Sequence, residues 1–175
     1  MTLSIDDLAG LIREIPDFPR PGICFRDMTP LLADPVALRS AVDLLAAEVE
    51  RGGPVDLVVG AEARGFILGP ALAMRLGAGF VPARRAGKLP AETESVAYQL
   101  EYGEAELHVH ADAFPPGARV LVHDDLIATG GTAAAVAELV ERRGGEVVAF
   151  AFLIELAGLG GRDDLAAPTH SLLRF

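Results

Sequence analysis

Apolar positions change period along the chain, and that change predicts its elements. Leu8, Leu11, Ile12 and Ile15 share one face of a 3.6-residue repeat behind Ser4 and Asp7, which resemble a capping box, so a short helix is expected over 4–14. Asp34 can cap a second helix with Pro35 in its first turn. Leu38, Ala41, Val42, Leu45 and Val49 keep helical spacing there until Gly52 and Gly53 stop it. From residue 56 onward the pattern alternates. An apolar strand is expected over 56–60, an almost wholly apolar helix over 65–76 ended by Gly77, and another strand over 79–83. A hairpin follows, 96–101 with 105–110. The chain then reads as a strand over 119–123, a helix over 130–143 with Ala133, Val136, Ala137 and Val140 inward, and a strand over 147–154. Strand–helix–strand alternation implies an α/β fold with a mostly parallel central sheet flanked by helices.

Two stretches break the rhythm. Residues 18–30, FPRPGICFRDMTP, are too rich in Pro and Gly for a regular element and read as an ordered loop or hood. Residues 84–94 turn basic, carry Gly and Pro, and lack periodicity, which reads as a mobile loop. No internal repeat or low-complexity tract is evident.

With 175 residues the chain has the length of one domain, 1–175. Its 25 acidic against 15 basic side chains give a formal charge of −10, which leaves little room for the basic face that nucleic-acid binding needs. Any anion site must be assembled locally. Cys24 is the sole cysteine, so no intrachain disulfide can form and a reducing, cytoplasmic compartment is the natural reading. No stretch approaches the length of a membrane span, and Asp6 and Asp7 sit where a signal peptide would be basic and then apolar.

The chemistry concentrates in VLVHDDLIATGGT, residues 120–132. A buried strand is expected to end in Asp124 and Asp125, and a Thr-Gly-Gly-Thr turn then opens a helix. Ligands of open α/β sheets bind at the carboxyl ends of strands. Exposed N–H groups at a helix start favour an anion, Gly130 and Gly131 permit close approach, and Thr129 and Thr132 offer hydroxyls. The pattern is neither a P-loop nor a GxGxxG fingerprint. Adjacent carboxylates leaving an apolar strand need hydroxyls, a cation or water, and the diol of a ribose 5′-phosphate would supply the first. The same two residues could simply cap a turn.

This segment resembles the 5-phosphoribosyl-1-pyrophosphate (PRPP) motif of type I phosphoribosyltransferases. FPRPGICFRDMTPLL (18–32), EARGFILGPALA (62–73), RRAGKLPAET (84–93) and YQLEYGEAELHVHADA (98–113) are similar to the adenine-specific branch of that family. The resemblance implies the type I phosphoribosyltransferase fold, with an N-terminal helix and base-binding hood (1–34) and a flexible catalytic loop and hairpin strand (84–101). It also implies transfer of adenine onto PRPP to give AMP and pyrophosphate, in a homodimer, with Mg²⁺ held mainly by pyrophosphate and ribose oxygens rather than by a protein metal site. Phosphoribosyl transfer to another purine, or a PRPP-sensing regulator without catalysis, are the alternatives. A regulator acting on nucleic acid would want a basic surface or added domain.

Residue by residue, the resemblance assigns Ala128, Thr129, Gly130, Gly131 and Thr132 to the 5′-phosphate, and Asp124 with Asp125 to the ribose hydroxyls. Glu62, Ala63, Arg64, Arg84, Arg85, Lys88 and Tyr102 fall to the pyrophosphate, with a cis peptide implied at Glu62–Ala63. Arg64 and Lys88 would be catalytic through charge, and Glu101 would be the acid/base toward N7 of the purine. Cys24, Phe25, Arg26 and Leu156 fall to the adenine, with Phe25 and Leu156 on its opposite faces. Taken alone, Phe25 reads as core, the basic residues as a solvated run, and Glu101 as an exposed hairpin-end acid. His123 stands where the family usually has an apolar residue, and Ala61 where a larger apolar or acidic one is common. His108 and His110 share one side of a strand but lack a third metal ligand at sensible spacing, which favours a solvated face.

Overall fold

A computed structural model describes residues 2–99 and 104–175. In chain order the elements are α1 (Ile5–Ala9), β1 (Arg13–Ile15), β2 (Phe25–Asp27), α2 (Thr29–Ala33), α3 (Pro35–Glu50), β3 (Leu57–Ala61), α4 (Gly65–Leu76), β4 (Gly79–Arg85), β5 (Thr93–Gln99), β6 (Glu104–His110), β7 (Arg119–Ile127), α5 (Gly131–Arg142), β8 (Glu146–Glu155) and β9 (Thr169–Arg174). A single 3₁₀ turn spans Ala157–Leu159. Seven strands form one sheet in the order β5-β6-β4-β3-β7-β8-β9. The β4–β3–β7–β8–β9 pairings are parallel, and β6 joins β4 and β5 antiparallel.

Alternate residues of the central strands feed two cores. Val58, Leu121, Ala151 and Leu153 pack with α3 and α4, whose Leu45, Leu68 and Leu72 are buried. Val59, Val120, Val122, Phe150 and Phe152 pack with α5 through Val136 and Leu139. Right-handed crossovers explain the split: β3 leads through α4 to β4 on one side, while β7 leads through α5 to β8 on the other. The strand order reverses between β3 and β7, and the crevice at their carboxyl ends is where an open α/β sheet takes its ligand.

Sequence expectations need correction at five places. The helix expected over 4–14 stops at Ala9, though its Ser4–Asp7 capping box is present; residues 13–15 instead pair with 25–27 as a ribbon. The stretch 18–30 is therefore not wholly irregular, because Phe25–Asp27 finds a partner that local propensity cannot reveal, and Thr29 starts a helix. Arg84 and Arg85 end β4, paired with His108 and Leu107, so the irregular segment is shorter than 84–94. Strand β7 runs on to Ile127, which places Asp124 and Asp125 inside it; β8 pairs with it that far. Nothing in the periodicity announced β9.

Candidate functional site

The end of β7 and the start of α5 form a glycine-rich turn that leads directly into a helix N-terminus. Gly130 caps α5 in the left-handed region, φ 83°, and its carbonyl accepts the first helical bond from Ala134 N, 2.9 Å. The N–H groups of the helix's first turn are consequently left without intrahelical acceptors, and the helix dipole adds positive potential. Thr129 is exposed; Gly131 and Thr132 are half-buried.

Directly before the turn, Asp125 is buried and Asp124 half-buried. Asp124 Oδ1 accepts from the Asp125 backbone N–H at 2.8 Å. Burial first, then the Asp125 charge, pushes Asp124 up to about 8. Burial also raises Asp125, opposed by the charge of Arg64, whose Nε lies 3.2 Å from Asp125 Oδ2. The pair therefore retains a proton near neutrality, and hydroxyl donors would favour its ionised form. Arg64 itself is 49% exposed.

A second charged group stands on the neighbouring strand ends. Glu62 Oε2 accepts from Arg84 Nε at 3.2 Å and from the Arg85 backbone N–H at 3.0 Å, while Arg84 Nη1 donates to Lys88 O at 3.1 Å. Burial alone would raise Glu62, but these donors together with Lys88 hold it below its ordinary value. The Glu62–Ala63 peptide is cis, and Ala63 is exposed. The structure thus brings Glu62, Arg84, Arg85 and Lys88 together, and Glu62 lies two residues along the chain from Arg64, the partner of Asp125. Glu101 and Tyr102 lie outside the described residues.

The ribbon β1–β2 carries the hood. Phe25 is half-buried and meets Phe18 edge-on, centroids 5.3 Å apart at 79°; Cys24 is exposed. Arg26 pairs with Glu14 and lies over the Phe175 ring, 4.4 Å to its centroid. Phe175 is bonded both ways to the segment after β8: its N–H donates to Glu155 O and its carbonyl accepts from Ala157 N, each 2.9 Å. Leu156 N donates to Ile127 O at 3.0 Å. A chain of contacts therefore runs from hood to cradle through Phe175 and Leu156.

Phe175, Glu155 and Gly161 escaped sequence reasoning. A terminal aromatic and a strand-end glutamate fall in no motif, and only the cradle's position reveals what Gly161 touches. His123 is wholly buried beside the acid pair, with Nδ1 2.9 Å from Ala151 O and Nε2 without a partner, so only one of its two ring nitrogens is satisfied. His108 and His110 are held by Thr93 Oγ1 (3.2 Å) and Pro90 O (3.0 Å).

Residues 29–168 match the phosphoribosyl transferase domain, and the chain belongs to the phosphoribosyltransferase family. Within it, the similarity runs to the adenine-specific enzymes. An adenine phosphoribosyltransferase of Synechococcus sp. is 62% identical over 169 residues, 95% of this chain and 97% of that one. The crystal structure of the Rhodothermus marinus adenine phosphoribosyltransferase superposes with a TM-score of 0.90 at 53% identity, covering 98% of each chain. The Saccharomyces cerevisiae enzyme, complexed with an imino-altritol bisphosphate and adenine, superposes with a TM-score of 0.93 at 40% identity, covering 96% of this chain and 97% of that one.

Proposed function

We infer that this chain acts in purine salvage, joining N9 of adenine to C1′ of PRPP as the C1′–pyrophosphate bond breaks, and so releasing AMP and pyrophosphate. The observation that carries this reading is the Arg64–Asp125 pair at 3.2 Å across the β3–β7 crevice, beside a glycine-rich helix start. It sets a cation for a departing polyanion against an acid pair for a ribose diol. Likeness to adenine-specific relatives supports adenine as the base.

Residues 128–132 hold the 5′-phosphate by main-chain N–H groups and hydroxyls. Asp124 and Asp125 accept from the ribose hydroxyls, which fixes the ring while positive charge develops at C1′. Arg64, Arg84, Arg85 and Lys88 receive the pyrophosphate, Glu62 holding Arg84 and Arg85 in place. Phe25 and Leu156 flank the adenine, with backbone near Cys24 and Arg26 reading its edge. Glu101 exchanges a proton with N7, and Tyr102 flanks the sugar or pyrophosphate. The whole chain works as one unit, 1–34 forming the hood and 84–101 the closing loop and hairpin strand.

Among the described residues no group of three or more His, Cys, Asp or Glu stands ready to hold a metal. The proposed reaction places Mg²⁺ mainly on the pyrophosphate and ribose oxygens of PRPP. When bound, that ion screens the pyrophosphate charge. A homodimer through the α3–α4 face accords with Met74, 83% exposed, and with exposed Ile67 and Val36 beside a groove lined by Leu38, Val42 and Ala71. Cys24 is free, as a cytoplasmic setting would have it; no described helix is long and apolar enough to cross a membrane.

Pyrophosphate release tests the reading. The protein is incubated with PRPP, Mg²⁺ and one purine at a time; release with adenine alone is expected. Release with hypoxanthine, guanine or xanthine instead would reassign the base, and PRPP binding without release would mean a regulator.

A further inference from the structure

The phosphate turn does not stand alone: residues 156–162 press on it from outside β8. Leu156 N is bonded to Ile127 O, and the segment then returns so that Gly161, buried, lies backbone to backbone on residues 128–130. A Cβ on Gly161 would stand 2.9 Å from both the Ala128 carbonyl carbon and Ile127 Cγ1, and closer still to Ala128 O. A Cβ on Gly130 would strike the Gly161 carbonyl in return, 3.1 Å from its carbon. Two glycines face each other because no side chain fits between the strands of main chain.

What holds Gly161 there is its neighbour. Arg162 grips Glu155 with both arms of its guanidinium, Nε to Oε1 at 2.9 Å and Nη2 to Oε2, and its Nη2 is 3.4 Å from Ser171 Oγ. Arg174 Nη2 adds a bond to Glu155 Oε1 at 3.1 Å. Glu155 is 3% exposed; burial would raise it, but Arg162, Ser171 and Arg174 outweigh that and keep it ionised. A bidentate pair on a rigid strand end fixes position as well as charge.

We propose that Gly161, clamped by Arg162 on Glu155, is the outer wall of the 5′-phosphate cradle, and that both are positioning residues for PRPP and AMP. The proposal rests on the phosphate assignment above. Gly158 supplies a matched control in the same segment, since a Cβ there meets nothing within 4 Å and its φ is ordinary.

The test is steady-state kinetics with adenine and PRPP on the wild type, Gly161→Ala, Arg162→Lys and Gly158→Ala, with AMP affinity by calorimetry. Gly161→Ala should raise KM for PRPP and Kd for AMP about tenfold or more, with KM for adenine changed less than about threefold. Arg162→Lys, which keeps the charge but loses the bidentate grip, should raise KM for PRPP about threefold to fivefold. Gly158→Ala should match the wild type. A purely structural role would lower melting temperature and active fraction and leave both KM values alone; that outcome in Gly161→Ala, or in Arg162→Lys should Gly161→Ala not fold, overturns the proposal. A wild type without turnover or AMP binding would instead overturn the functional reading on which it rests.

Discussion

On the proposed assignment, the cradle and the hood take opposite ends of one nucleotide by opposite means. The cradle is main chain set between β7 and α5, backed by Val122 and Ile127 with almost no exposure, and its neighbours approach too closely for side chains. The hood is a three-residue ribbon tied by long-range side-chain contacts: Glu14 to Arg26, Phe18 to Phe25, Arg26 to Phe175. Phe18 remains 52% exposed. Phosphate recognition needs fixed N–H groups and tolerates no slack, whereas stacking on a purine tolerates sliding and can be held by a movable arm. Changes at the cradle should therefore act on PRPP and changes at the hood on adenine, with little crossing.

The largest test of that division lies at Arg64. Arg64→Ala should lower kcat/KM for PRPP about a hundredfold to a thousandfold, in the range for losing a group aimed at developing charge, ~3–4 kcal/mol. Because its partner Asp125 is buried while Arg64 itself is half exposed, unfolding in denaturant should also shift, by about 1–3 kcal/mol, far short of abolishing the fold. A comparable loss in KM for adenine would break the comparison, since it would mean that the two ends are not separable.

Phe25→Ala comes next. Removing a stacking partner costs about 1–3 kcal/mol per base, so KM for adenine should rise about tenfold to a hundredfold while KM for PRPP stays put. If Phe25 only props Phe18, stability falls and neither constant moves.

How much was readable in advance follows the same division. The cradle was legible because its determinants are consecutive: an apolar strand, two acids, Thr-Gly-Gly-Thr and an apolar helix lie within residues 120–140. Its foundations were not, because Gly161 and Glu155 reach it only through folding. The hood's Phe25 and Arg26 were named through family likeness, yet their strand was missed; β1 and β2 are three residues each, and a pairing across nine residues of Pro-rich chain leaves no local period. Arg84 and Arg85 looked like loop because basic residues at a strand end carry no apolar alternation. Helix α4, apolar and stopped by a left-handed Gly77, was placed to the residue.

A smaller effect should appear with pH. Asp124 is raised from 3.8 to about 8, so its protonated form favours the folded protein, and that contribution is lost as pH rises from near 4 through about 8. Ligand-free melting temperature should thus fall across that window, and Asp124→Asn should flatten the decline. Binding should move the other way, because ribose hydroxyls donate to ionised carboxylates. Calorimetry between pH 7 and 8.5, where the phosphate is already doubly charged, should show AMP tightening about threefold to tenfold, and no trend in Asp124→Asn. An AMP affinity flat in the wild type would remove the acid pair from the ribose site and leave the cradle with the phosphate alone.

The smallest effect sits beneath the cradle, at His123. Its imidazole is buried, donates from Nδ1 to Ala151 O, and leaves Nε2 unpaired, so burial pulls it down to about 4. His123→Leu removes one hydrogen bond and one orphaned acceptor together, and near pH 7 the two should offset to within about 1 kcal/mol. Acid separates them. A depressed His contributes stability that is present above about 6.5 and lost as pH falls toward 4, because the unfolded chain takes up a proton that the folded chain refuses. The leucine variant, unable to titrate, should gain on the wild type by about 1 kcal/mol at pH 5.5, read as a difference in denaturant midpoints. Its KM for PRPP should not change, because the ring faces the α3–α4 core while the acids that follow it are held by Arg64 and the Asp125 N–H. A rise in that KM would show the cradle to be sensitive to packing two residues below the ribose, and so less rigid than its main-chain construction implies.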